Sequence, residues 1–188
     1  MTRQVLNQIR AFEQTMVAWR HDLHMHPEIG FEEHRTSDLI ARTLAGFGFE
    51  VHRNIGKTGV VGRLAVGDSV RSIGLRADMD ALPIEEINRF SHRSTVKGRM
   101  HACGHDGHVA SLLGAARYLS ETRRFNGVVN LIFQPAEEGV GGARAMLADG
   151  LFERFPCEAV FGFHNEPMLP VGKFAIRRGA MLAGGAFF

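Results

Sequence analysis

Apolar residues recur at alternating spacings of three and four at Val5, Ile9, Phe12, Met16, Trp19 and Leu23, and predict an amphipathic helix of about five turns. Pro27 ends it within a turn. A second helical pattern covers residues 34–47 through Leu39, Ile40, Thr43 and Leu44, and Gly46 and Gly48 close it as residues able to take positive φ. The period then changes. Phe49-Glu50-Val51-His52 alternates, residues 59–65 are apolar-rich, and residues 72–77 run into Asp78 and Asp80, with Gly67-Asp68-Ser69 as the turn between the last two runs. Each of these three runs is a predicted strand.

Residues 106–123 return to helical spacing, with Val109, Leu112, Leu113, Ala116 and Leu119 on one face and Asp106 as the expected cap. Residues 128–133 read as a β-branched and aromatic strand, 141–148 as a short helix closed by Asp149-Gly150, and 158–163 and 173–177 as further strands. Residues 178–186 are loop-like. Phe187-Phe188 is either an apolar end docked in a core or a point at which a longer chain is interrupted. Alternating strands and helices predict an α/β fold, helices packed on a mixed, largely parallel sheet. In such sheets ligands gather beyond the carboxyl ends of the strands. Asp78, Asp80, Glu137, Glu138 and His164 each follow such an end, and the helix after residue 105 brings Cys103 and His105 to the same rim.

A chain of 188 residues suits one domain, or one domain with a fragment of another. Its net charge of +2 comes from 22 basic and 20 acidic side chains that are interspersed, which gives no electrostatic case for nucleic acid or an anionic membrane. No apolar run approaches the roughly 20 residues that span a bilayer, and polar residues interrupt any signal core near Met1. A cytoplasmic protein is expected. Cys103 and Cys157 fit a reducing compartment better than a disulfide, because one lies in a histidine cluster and the other in a loop.

That cluster, Met100-His101-Ala102-Cys103-Gly104-His105-Asp106-Gly107-His108, packs three histidines, a cysteine and an aspartate into nine residues. Imidazole and thiolate hold zinc-class metals, and Cys103 and His105 can reach one ion if the glycine between them lets the loop curl. A glycine-rich turn with a buried Cys103 explains the same residues, with at least one of His101 and His108 at the surface. Glu137-Glu138 ends a very apolar strand, where two like charges call for a nearby cation; one carboxylate can bind it while the other handles a proton. Asp78 and Asp80 share a face at period two. One can orient a ligand histidine and the other cap Leu82-Pro83-Ile84, although a solvated turn explains both. His164 follows the strand at 158–163 as a ligand or a simple terminator, and His21 and His24 share a helical face on which both can be solvated.

Taken together, Arg20-His21-Asp22-Leu23-His24-Met25-His26-Pro27-Glu28-Ile29-Gly30-Phe31, Gly74-Leu75-Arg76-Ala77-Asp78-Met79-Asp80-Ala81-Leu82-Pro83-Ile84, the 101–108 cluster, Gln134-Pro135-Ala136-Glu137-Glu138-Gly139 and Phe163-His164 resemble the amidohydrolase branch of the co-catalytic metallopeptidases. That group includes hippurate hydrolase, N-acyl-amino-acid hydrolases and auxin-conjugate hydrolases. The resemblance implies a zinc-aminopeptidase-like fold and two divalent metal ions, Mn or Zn with Co or Ni as further options. It implies Cys103, His105, Glu138 and His164 as ligands, Glu137 as general base and then acid, and Asp78 as a supporting carboxylate. The implied partner is a small N-acyl amino acid or amide, and the full-length family form is a homo-oligomer. It further implies that residues 1–188 are the N-terminal part of the catalytic domain, with a lid or dimerisation domain and a last metal-ligand histidine lying beyond them, so that this chain alone is expected to be impaired. A non-catalytic metal-binding fragment and an interaction protein are the alternatives.

Overall fold

The computed structural model describes residues 7–180. In chain order its elements are helices α1 (Glu13–Met25) and α2 (His34–Gly46), strands β1 (Glu50–Ile55), β2 (Gly59–Val66) and β3 (Ser72–Asp78), and helix α3 (His105–Thr122). Strand β4 (Gly127–Gln134), the short helices α4 (Gly142–Ala148) and α5 (Leu151–Arg154), and strand β5 (Ala159–Gly162) follow. The strands form one mixed sheet in the order β1-β2-β4-β3-β5. β1 with β2 and β2 with β4 are antiparallel, whereas β3 runs parallel to both β4 and β5.

Period-two burial explains how the sheet takes helices on both faces. Val60, Leu131 and Phe133 point into a core with Leu23 of α1, Ile40 and Leu44 of α2, and Val109 and Leu113 of α3. Their neighbours Val61 and Ile132 point the other way, onto Ile55, Met146, Leu151 and Phe155. A strand covered on both sides must be apolar throughout, which is why Leu131-Ile132-Phe133 shows no alternation.

Three expectations are corrected. The opening stripe is not one helix: a turn at Ala11-Phe12 precedes α1, and it seats Phe12 in the interior under the Arg117 guanidinium. Val5, like Phe187-Phe188, lies outside the described residues. Residues 173–177 form no strand; no strand lies beside them among the described residues, and Phe174 and Ile176 are exposed. Asp106 does not cap α3, which starts at His105 behind Gly104 in a left-handed conformation (φ 85°). The Asp106 side chain is instead taken up by His24 and Arg20. No helix among the described residues is long and apolar enough to cross a membrane.

Candidate metal centre

Parallel pairing puts Asp78 at the end of β3 level with Gln134 at the end of β4, so the segments leaving both strands emerge side by side. Asp80 follows the first, and Glu137 and Glu138 the second. Gly104 turns the chain into α3 so that His105, fully buried, arrives between them. Its Nδ1 lies 3.2 Å from Asp80 Oδ1, and the other Asp80 oxygen accepts the Glu138 amide at 2.9 Å. Asp80 thus ties helix α3 to the glutamate loop. It does not cap residues 82–84, and neither it nor Asp78 is solvated, each being 1% exposed.

With Nδ1 donating to Asp80, His105 presents a bare Nε2 to the site. That atom is 3.6 Å from Asp78 Oδ2, 3.8 Å from Glu138 Oε1 and 4.0 Å from Glu137 Oε2. Both His105 Nε2 and Glu138 Oε1 are buried without a hydrogen-bond partner among the described residues. Buried polar atoms are rarely left so, and a pair facing each other at this distance fits a cation held between them. Cys103 Sγ sits 3.3 Å from His164 Nε2, whose ring is oriented by Nδ1 donating to the Asn165 carbonyl at 2.7 Å.

The charge balance points the same way. Burial, reinforced by Glu138, Asp78 and Glu137, pushes the Cys103 thiol up to about 12, so a thiolate needs a cation to balance the carboxylates. Burial would lower His105, but the Asp80 hydrogen bond and the charges of Asp78, Asp80 and Glu138 raise it above the ordinary imidazole value. Burial alone would also raise Asp78; the His108 hydrogen bond and the Arg76 guanidinium outweigh it and hold the carboxyl at about 2.

Ligand-type atoms approach within 4.8 Å of one another in three groups: Cys103, His105 and His164; His105, Glu137 and Glu138; and Asp78, His105 and His108. The first two share His105 and contain every metal-ligating residue expected from the sequence, together with Glu137. The third is closed by internal bonds, since His108 uses both ring nitrogens, on Asp78 at 2.6 Å and on the Asn165 amide at 3.0 Å.

The expected surface histidines are buried. His108 is 2% exposed and His101 4%, and burial lowers His101 to about 4. His24 is likewise interior: its ring bridges Asp106 at 2.9 Å and Glu86 at 3.2 Å, and chiefly the Asp106 hydrogen bond raises its pKa against the effect of burial. His21 stacks on His92 at 3.7 Å. Sequence reasoning also missed Glu33, a fully buried carboxyl that accepts the Ala136 amide just before the glutamate pair. No local pattern marks Glu33, because the Ala136 amide it accepts is 103 positions away.

Thiol, imidazole and adjacent carboxylates converging at the ends of parallel strands define the type of centre used by metal-dependent hydrolases. Residues 74–179 match the family model described as Peptidase family M20/M25/M40, and the chain belongs to that family. It is 56% identical over 164 residues to a hippurate hydrolase of Campylobacter jejuni subsp. jejuni, covering 87% of this chain and 43% of the relative. An IAA-amino acid hydrolase of Arabidopsis thaliana is 47% identical over 174 residues, 92% of this chain and 39% of that protein. Among solved structures, a dinuclear metal-binding peptidase of the M20 family from Bacillus subtilis superposes with a TM-score of 0.82 at 43% identity, over 87% of this chain and 46% of that one. The chain therefore spans less than half the length of these relatives.

Proposed function

We propose that the protein hydrolyses the amide bond of N-acyl amino acids or related small amides, and that residues 1–188 form the N-terminal part of its catalytic domain. The observation that carries this reading is His105 Nε2, without a hydrogen-bond partner among the described residues, facing Glu138 Oε1 with Glu137 and Asp78 around it. Cys103, His105, Glu138 and His164 would hold two divalent ions, which when bound lower the pKa of water and polarise the amide carbonyl. The substrate class follows the names of the relatives, a hippurate hydrolase and an IAA-amino acid hydrolase.

The protein residues divide the remaining work. Glu137 has its side chain 42% exposed and so faces the space a substrate enters, suited to take a proton from water and return it to the departing amine. Glu138 is more enclosed, at 23%, and its amide is fixed by Asp80, which suits a ligand rather than a proton carrier. Asp80 holds His105 with Nε2 bare, and Asp78 keeps its negative charge beside that atom.

The test is hydrolysis of N-benzoyl- and N-acetyl-amino acids by the whole protein, stripped of metal and resupplied with Mn²⁺ or Zn²⁺. Stripping is expected to abolish turnover, and Glu137→Gln to cost about 10²–10⁴-fold in kcat while metal content stays unchanged. Turnover that survives both treatments would sink the proposal.

A further inference from the structure

We propose that His108 is a positioning residue that fastens the loop carrying His164 to helix α3, with its tautomer dictated from both sides. This rests on the metal-centre reading above. His108 lies three residues after His105, on the same face of α3, and the two rings are 5.4 Å apart. Its Nδ1 is 2.6 Å from Asp78 Oδ1, and its Nε2 is 3.0 Å from the backbone nitrogen of Asn165.

A backbone N–H can only donate, so Nε2 must carry a lone pair. The ring proton therefore sits on Nδ1 and is donated to Asp78. That carboxylate is held in turn: Arg76 Nη1 donates to its Oδ2 at 2.7 Å, while Arg76 Nε and Nη2 donate to the Gln134 side-chain oxygen at 2.9 and 2.6 Å. The chain of contacts thus runs from the ends of β3 and β4 through Arg76, Asp78 and His108 to the Asn165 amide.

The loop at the far end needs such a tether. β5 is four residues long, exposed throughout, and makes its last sheet pairing at Gly162. His164 comes two residues later. The histidine ring is oriented by the Asn165 carbonyl, but that bond lies within the loop and cannot place the loop against α3. The His108 bond does so, and the Phe163 and His164 rings pack against it at 5.6 and 4.9 Å. Asn165 also lies over Gly104, where a Cβ would come within 2.7 Å of its side-chain oxygen, so the loop sits directly on the turn between Cys103 and His105. With both nitrogens in use, His108 serves the site by placing His164 opposite Cys103. Asp78 acts through His108 on the same loop.

The experiment compares His108→Leu, His108→Asn and His108→Gln in the whole protein by Co²⁺ titration, using the thiolate-to-cobalt absorption band as a reporter of Cys103. Asn keeps a donor near the level of Nδ1 for Asp78. Gln keeps an oxygen near the level of Nε2 for the Asn165 amide. The expected result is that Leu and Asn weaken Co²⁺ binding by about 10–100-fold, the usual effect of losing a residue that orients a ligand, while Gln retains most of the affinity. Equal affinity in all three variants and wild type, or Gln falling with Leu, overturns the tether. A wild-type protein that gives no thiolate band refutes the metal-centre reading instead. The tautomer is tested apart from any metal by ring ¹⁵N shifts of His108 in the metal-free wild type, which also decides the matter if a variant fails to fold. A proton on Nδ1 alone supports the proposal, and a proton on Nε2 overturns it.

Discussion

Replacing Glu33 separates two contributions that this buried carboxyl makes. One oxygen accepts the Thr58 hydroxyl at 2.6 Å and the other the Ala136 amide at 2.8 Å. Ala136 sits in a left-handed conformation (φ 48°), and its carbonyl accepts the Gly142 amide at 2.9 Å. The backbone is therefore pinned on both sides one residue before Glu137. Glu33→Ala leaves a hydroxyl and an amide buried and unpaired, at about 1–3 kcal/mol each, or about 2–6 kcal/mol together. That is a large part of the total stability of an ordinary domain, about 5–15 kcal/mol.

Glu33→Gln should behave differently. Its carbonyl can take the Ala136 amide and its NH₂ can donate to the Thr58 oxygen once the hydroxyl turns, so both bonds survive. Burial raises the Glu33 carboxyl above the ordinary glutamate value in spite of the hydrogen bonds from Thr58 and Ala136. A raised carboxyl means that the folded state holds its proton more tightly than the unfolded one. Wild-type stability therefore falls as pH rises from the unfolded value, about 4.3, towards the raised one. Glutamine does not titrate, so its advantage over wild type should grow across that window. Urea unfolding of the three proteins at several pH values reads both effects. An alanine variant within about 1 kcal/mol of the glutamine variant would refute the reasoning, since the two unpaired groups could not then be costly.

Two further perturbations follow from the same geometry. Gly142→Ala places a Cβ against the Pro135 carbonyl, which is backbone and cannot swing aside; a loss of about 1–3 kcal/mol or more is expected, read as a lowered Tm. Asp78→Asn removes a carboxylate held at about 2, where burial is outweighed by His108 and Arg76. A depressed carboxyl contributes stability above its unfolded value, about 3.9, and loses it as pH falls through about 2. The variant should thus be less stable than wild type at neutral pH and converge with it in acid, as followed by circular dichroism.

How much of this was legible in the sequence depends on the reach of each signal. The strands at 59–65, 72–77 and 128–133 and the helix at 106–123 were readable because period and turn residues act locally, and the observed β2, β3, β4 and α3 agree within a few residues. Residues 173–177 carry a similar strand pattern, but a strand also needs a neighbour, and the pattern does not say whether one is there. The first helix failed where one residue mattered: Phe12 fits the stripe, yet it enters the interior through a turn.

The site divides along the same line. Residue type marks Cys103, His105, Glu137, Glu138 and His164 as candidates, each with a plain structural alternative, and the resemblance to the co-catalytic metallopeptidases is what joins them into one proposed set. The groups that aim them were less legible: the spacing offers Asp78 and Asp80 together as able to orient a ligand histidine without saying which histidine, and does not mark Glu33 at all. Asp80 reaches His105 across 25 positions, Glu33 reaches Ala136 across 103, and His108 reaches Asn165 across 57. Each resembles an ordinary polar residue until the fold buries it against its partner. Burial also changes what each residue does, because a hydrogen bond that water would replace at the surface has no substitute inside. The candidate residues were therefore visible from type, spacing and family resemblance together, while most of the contacts around them became visible only when the sheet brought distant segments to one rim.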